Sequence, residues 1–297
     1  MSDTSWLWAL FTIIAAASQT ARNATQRELT TTLGTAGATH VRFLFGLPFA
    51  LVFLAIVLLA TGVPLPRPPA IYWAWVLDGA LAQIAATALM LAAMNDRSFV
   101  VVYAYIKTEP VQAALFGLVF LGDVVTLPMA TAILIATTGV VIMALKPGTT
   151  LGLKATLLGL AAGAMFALSA VGFRGAILSV GSPNYLMAAT FTMMTGLIIQ
   201  VALLTPYLML RNPAVMRAIM RAWRPSLLAG FLGAFASQFW FLAFALATAA
   251  SVRTLALVEV LFAQAISAFV FKQPVTTREG FGIVLVVVGV ALLMWTH

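Results

Sequence analysis

Five charged side chains, Asp78, Lys107, Glu109, Arg253 and Glu259, fall inside otherwise apolar stretches, and Arg42 stands near the start of another. Ionisable groups in such stretches are costly in hydrocarbon and mark a pathway, a relay or a pairing partner. A glutamate there can carry a proton or hold a cation, and Lys107 or Arg253 can hold a carboxylate. Each also has a purely structural role open to it. A glutamate can lock two helices by hydrogen bonding. Lys107 can pair with a neighbouring carboxylate, and Arg253 can reach for the membrane interface. Bracing is the preferred role for Glu109 and Glu259, which are either proton-carrying or structural, because they recur at corresponding positions of the chain. For the two cations both roles stand. Asp78, within about two turns of a helix end, reads as a solvated carboxylate.

Covalent and metal chemistry are poorly supplied. The chain has no cysteine, and its two histidines are His40, which is isolated, and His297, the last residue. No thiol nucleophile, histidine dyad or metal cluster is in sight. The expectation is a protein that is not an enzyme, with no cofactor and no metal.

Softer polar faces surround these charges. Gln83, Thr87 and Met90 share one face of a helical stretch, and Tyr103 and Lys107 share another. Gly233, Ser237 and Trp240 repeat the first pattern, with Gln238 beside them. Such a face suits a cavity wall or a helix contact. Gln19 and Asn23, then Ser169 and Phe173, are further candidates. The expected substrate-binding set is Gln19, Gln83, Tyr103, Lys107, Gln238, Trp240 and Arg253.

The elements that must carry these residues follow from composition. Of 297 residues 63% are hydrophobic and only 8% charged, against roughly 25% charged in a soluble domain. Mean hydropathy is +1.06. The net charge of +8 is read as loop Lys and Arg that orient a membrane protein, not as a nucleic-acid footprint. The expected partners are the lipid bilayer and a small molecule. Arginine-rich, alanine-rich usage suggests a bacterial source, hence the inner membrane, multi-pass. Met1–Ser5 carries Asp3 and no Lys or Arg, so the first apolar run is expected to be a retained helix.

A span needs about 20 apolar residues. Ten are expected, at about Ser5–Ala24, Gly34–Leu59, Ile71–Ala93, Phe99–Leu121, Leu127–Leu145, Leu153–Leu178, Asn184–Leu210, Ser226–Ala247, Ser251–Phe271 and Arg278–Trp295. Pro48 and Pro110 are candidate kinks. Arg211–Pro225 is the longest loop, and its Val215, Met216, Ile219, Met220 and Trp223 could form a short interfacial helix.

The halves correspond at an offset of 150 residues. Gly46-Leu47 matches Gly196-Leu197, Glu109 matches Glu259, Ala113 matches Ala263, and Val125-Thr126 matches Val275-Thr276. Ile133 matches Ile283, and Gly139-Val140 matches Gly289-Val290. The expected fold is all-α: two five-helix repeats, 1–147 and 148–297, around a central cavity. Five is odd, so the second repeat would be inverted, as in many secondary transporters. Lys and Arg concentrate in the odd-numbered loops (Arg22, Arg27, Arg97, Lys146, Lys154, the arginines at 211–224, Lys272, Arg278). Positive-inside bias then puts both termini outside.

These residues resemble the drug/metabolite transporter superfamily in its ten-helix, EamA-type exporter branch. The resemblance rests on Arg42-Phe43, Glu109-Pro110, Ala113, Gly122-Asp123, Gly139, Glu259 and Gly289, in that order and spacing. Relatives usually have Gly-Glu at Gly122-Asp123, and the second half departs further with Lys272-Gln273. The resemblance implies alternating access, export of aromatic and other amino acids or related metabolites, and cytoplasmic termini. That last point opposes the charge bias. The rival cargo is a cationic drug, with Glu109 and Glu259 as membrane-embedded anions.

Overall fold

The computed structural model describes residues 6–96, 99–144, 153–269, 272 and 275–296. The described chain is helical throughout its ordered elements: α1 Leu7–Leu44, α2 Leu47–Thr61, α3 Ala70–Asp96, α4 Phe99–Ile106, α5 Glu109–Phe116, α6 Leu127–Ala144, α7 Leu153–Ser179, α8 Tyr185–Arg211, α9 Pro213–Arg221, α10 Trp223–Leu246, α11 Ala249–Leu255, α12 Val258–Phe269 and α13 Thr277–Thr296. A π-helical turn, Gly117–Leu121, extends α5. The Asn23 side chain, Arg97, Lys146, Gln273 and His297 lie outside the described residues.

Seven described stretches are long and apolar enough to cross a membrane: Ala36–Thr61, Ala70–Met90, Leu127–Ala144, Leu153–Ser179, Tyr185–Arg211, Trp223–Leu246 and Thr277–Thr296. Their outer faces stay apolar, with Leu59, Leu127, Leu153 and Trp295 largely exposed. Exposed apolar surface on this scale needs lipid or a partner against it.

Three sequence expectations change. The polar stretch around Gln26-Arg27-Glu28 is not a loop. The helix runs through it, and only Gly34 is non-helical (φ 67°, ψ 174°), a conformation open to glycine. Arg22 therefore sits within α1 and is buried instead of lying in a loop. Pro48 and Pro110 mark outright breaks where bends were expected: α1 stops at Leu44 before Pro48, and α4 at Ile106 before Pro110. Each stands in the first turn of its helix, where the missing N–H costs nothing. The fourth and ninth expected spans are each broken in two, at Lys107–Thr108 and Ala256–Leu257.

Loop chemistry closes the remaining ends. Gly122, left-handed at φ 68°, caps the π-helical turn, and the Asp123 N–H donates to the Gly117 carbonyl at 3.1 Å. Thr276 and Glu279 form a reciprocal box at the start of α13: Thr276 N–H donates to Glu279 Oε2 at 2.8 Å, and Glu279 N–H to Thr276 Oγ1 at 3.3 Å.

Contacts gather the chain into two compact units, one of residues 1–81 with 172–246, the other of 82–171 with 247–297. In the first, α10 packs along α1 and α8 along α2. Gly79 of α3 meets α7 so closely that an added Cβ would lie 2.8 Å from the Phe173 ring, and one on Gly172 would lie 2.6 Å from Asp78 Oδ2. Asp78 thus lies against a helix crossing, not in bulk water. Small residues at such crossings let backbones approach where lipid supplies no hydrophobic drive.

In the second unit α6 and α13 make a comparable contact. A Cβ on Gly139 would fall 2.6 Å from the Gly282 carbonyl oxygen, and one on Gly289 would fall 2.8 Å from the Ala132 carbonyl oxygen. Adding 150 to Gly139 and Ala132 gives Gly289 and Gly282. The two contacts are thus one contact made twice with the partners exchanged.

Candidate functional site

The charged cluster is built on the two broken helices of the second unit. At the first break, Thr108 N–H and Thr108 Oγ1 both donate to the Tyr105 carbonyl, at 3.2 and 2.7 Å. Pro110 brings no N–H to continue α4. At the second break, Leu257 N–H turns back to the Thr254 carbonyl at 3.1 Å, and Thr254 Oγ1 donates to the Ala250 carbonyl at 2.7 Å. Both breaks tighten the chain with i→i+3 bonds and then start a new helix. Glu109 and Glu259 fall in the first turns of α5 and α12. The positive end of the helix dipole favours a carboxylate there.

Each glutamate is paired with a cation from the other half of the chain. Lys107 Nζ donates to Glu259 Oε1, and the Tyr103 hydroxyl donates to the same oxygen at 2.6 Å. Lys107 Nζ also stands 4.8 Å from the Tyr103 ring centroid. Arg253 Nε lies 2.8 Å from Glu109 Oε1. Lys107, Glu109 and Glu259 are buried, and Arg253 is nearly so. Tyr103 corresponds to Arg253, and Glu109 to Glu259, at the 150-residue offset. Tyr103–Glu259 and Arg253–Glu109 are therefore the same contact made twice. One departure breaks the equivalence: Tyr103 is neutral where Arg253 is charged, and Lys107, whose counterpart is Leu257, supplies the missing positive charge.

Two cations and two carboxylates leave this cluster neutral if all are ionised. Removing either partner of a buried pair exposes the other to the full desolvation penalty. The cluster can thus brace two helices, or exchange its internal partners for a ligand bearing both charges. A neighbouring polar group, Gln112, donates through Nε2 to the Leu160 carbonyl at 3.3 Å and anchors α5 to α7.

The remaining expected site residues are distributed. Tyr103, Lys107 and Arg253 meet in the second unit with both glutamates. Gln83 also belongs to that unit, and its carbonyl accepts from Thr87 Oγ1 at 2.9 Å. Met90 packs with Ala93, Val102, Ile106 and Ala162, a helix contact. Gln19 and Trp240 meet in the first unit, where Trp240 Nε1 donates to Gln19 Oε1 at 3.2 Å. Gln238 points elsewhere on α10 and donates to Thr190 Oγ1 at 2.7 Å. Gly233 lies in an α10–α1 contact. A Cβ there would lie 2.8 Å from Arg42 Cγ and 3.7 Å from Arg22 Cδ. The Phe173 ring lies tilted against that of Phe241, with centroids 4.7 Å apart and an interplanar angle of 46°.

Three polar residues were not anticipated from sequence. Thr190 holds Gln238. Arg174 donates through Nη1 to the Phe244 carbonyl at 2.7 Å. His40, isolated in sequence, is fully buried with Nε2 3.1 Å from Thr205 Oγ1. Each partner is 48 to 165 residues away, so no local pattern announces it. The one usable signal was a polar residue inside an apolar span.

Among curated proteins, none matches the chain. A solved structure titled only "Crystal structure of protein" superposes with a TM-score of 0.71 over 98% of this chain and 96% of its own, at 15% identity. That likeness concerns the fold alone. Residues 153–295 match the model of the EamA-like transporter family. This match, on a chain of long apolar helices, supports the drug/metabolite transporter superfamily and a multi-pass membrane transporter of small molecules.

Proposed function

We propose that the protein is a secondary transporter that exports amino acids, aromatic and other small ones, or related metabolites across a bacterial inner membrane by alternating access. Ten spans in two inverted five-helix repeats, 1–147 and 148–297, would carry it. The exchanged contacts at Gly139 and Gly289, and at Glu109 and Glu259, support the repeats.

The observation that carries the cargo reading is the crossed pairing of Lys107 with Glu259 and Arg253 with Glu109. A zwitterion can replace the internal partners on both sides at once: its carboxylate on Lys107 or Arg253, its ammonium on a glutamate. The exchange leaves no buried charge unpaired. A cationic drug, the rival cargo, would take a glutamate and strand a lysine or arginine, which is costly. Tyr103 and Gln83 are proposed to shape this pocket in the second unit, and Gln19, Gln238 and Trp240 of the first unit are proposed as further substrate-binding residues.

The test is purified protein in liposomes with labelled phenylalanine or threonine, with and without a pH gradient. Uptake is expected, with Lys107→Met and Glu259→Gln each abolishing most of it while the protein stays folded. Transport of cationic drugs or sugars with no movement of any amino acid would sink the cargo reading. A rate that follows the pH gradient would identify proton coupling.

A further inference from the structure

The loop between α8 and α10 is a built amphipathic helix. On its inner side Met216 and Ile219 are buried among Leu29, Leu33 and Val41 of α1, Leu208 of α8 and Ala229 of α10. The fit is close: a Cβ on Gly37 would come within 2.8 Å of Val215 Cγ1. The outer side is exposed and carries Arg217, Met220 and Arg221, flanked by Arg211 at the end of α8 and Arg224 at the start of α10. The Arg224 guanidinium lies 5.4 Å from the centroid of the Trp223 ring.

The bland alternative is a helix whose arginines simply face water. Three observations argue for a specific occupant. First, α8 and α10 are both long enough to span a membrane, and α8 ends at Arg211 where α10 starts at Trp223. The short α9 must therefore lie at the membrane surface. Second, Tyr207, Met209, Leu210, Met220 and Trp223 are about half exposed or more around it. Aromatic and long apolar side chains at span ends settle at headgroup depth. Third, residues 124–258 contain no Asp or Glu at all, so this stretch carries no counter-charge of its own for four guanidiniums. Planar guanidinium forks match phosphate oxygens.

We infer that the outer face of α9, with Arg211, Arg217, Arg221 and Arg224, binds the headgroups of anionic phospholipids. Met220 and Trp223 enter the acyl boundary beside them. Because the inner face is packed on α1 to either side of its Gly34 bend, against Leu29 and Leu33 before it and Val41 after it, the bound lipid also holds that bend in place. This assignment is independent of what the transporter carries.

Trp223 reports on the site. The full-length protein is reconstituted in phosphatidylcholine bilayers containing brominated phosphatidylglycerol or brominated phosphatidylcholine. Quenching of Trp223 is isolated by difference from Trp223→Phe. Brominated phosphatidylglycerol should quench at a mole fraction on the order of tenfold lower, as expected from basic residues at an anionic surface. Arg217→Gln/Arg221→Gln should erase that preference, and Arg217→Lys/Arg221→Lys should keep most of it. Raising the ionic strength should weaken it in the unmodified protein, a measurement that does not depend on either variant folding. Equal quenching by the two lipids overturns the inference. Complete competition by millimolar inorganic phosphate also overturns it, by showing a free-anion site in place of a lipid site.

Discussion

At the scale of residues, the cluster of Lys107, Glu259, Tyr103, Glu109 and Arg253 makes the sharpest claim. Lys107→Met takes the ammonium away from the buried Glu259 carboxylate, to which the Tyr103 hydroxyl still donates, and should cost about 3–5 kcal/mol. The double variant Lys107→Met/Glu259→Gln should recover much of that loss. A double-mutant cycle on unfolding in mixed micelles measures it, and additive losses would show that the pair is not coupled. The ionisable residues were legible in sequence because charge stands out in apolar stretches. Their pairing was not. A two-fold repeat suggests that equivalent residues meet each other, whereas each glutamate takes its cation from the position equivalent to, or next to, the other's own environment. Pairings that join residues more than 140 positions apart are decided by packing of whole helices.

At the scale of elements, long helices were readable from apolar run length, and their interruptions were not. Nothing in the apolar run Phe99–Leu121 marks Lys107–Thr108 as a break except Pro110, and the run around Ala256–Leu257 has no proline at all. The converse error occurred in α1, where Gln26, Arg27 and Glu28 looked like a loop although the helix continues. Polar residues end helices only when the backbone has another partner to turn to, as Thr108 offers at the first break. The α6–α13 crossing gives a direct test. Gly289→Ala pushes a methyl against the Ala132 carbonyl and the Ala136 N–H, and should destabilise the protein by about 1–3 kcal/mol. Gly280→Ala, four residues into the same helix with open space around it, should be neutral or stabilising by up to about 1 kcal/mol. Thermal unfolding of the two variants in one detergent compares them, and equal midpoints would refute the crossing.

At the scale of the whole molecule, the compact units do not follow the sequence halves. The first unit takes α1 and α2 from one half and α8, α9 and α10 from the other, and the second is equally mixed. The 150-residue correspondence is readable along the chain, but which helices share a core depends on contacts that it does not encode. Each half should therefore fail alone. Residues 1–147 and 148–297 expressed separately should be degraded, and their coexpression should restore a stable complex detectable by pull-down of one tagged half. Accumulation of either half alone as a monodisperse species would contradict the interleaving.

The burial of polar residues on α1 has a consequence for synthesis. Buried Arg22 and His40 are made early, yet their neighbours Gly233 of α10 and Thr205 of α8 are made much later. From Leu44 to Leu246, 246 − 44 = 202 residues must still be translated. At about 5–20 residues per second, that is a wait of about 10–40 s. During it the nascent first helix must be sheltered by the insertion machinery or by bound water, so the ribosome's pace becomes part of how this fold is reached.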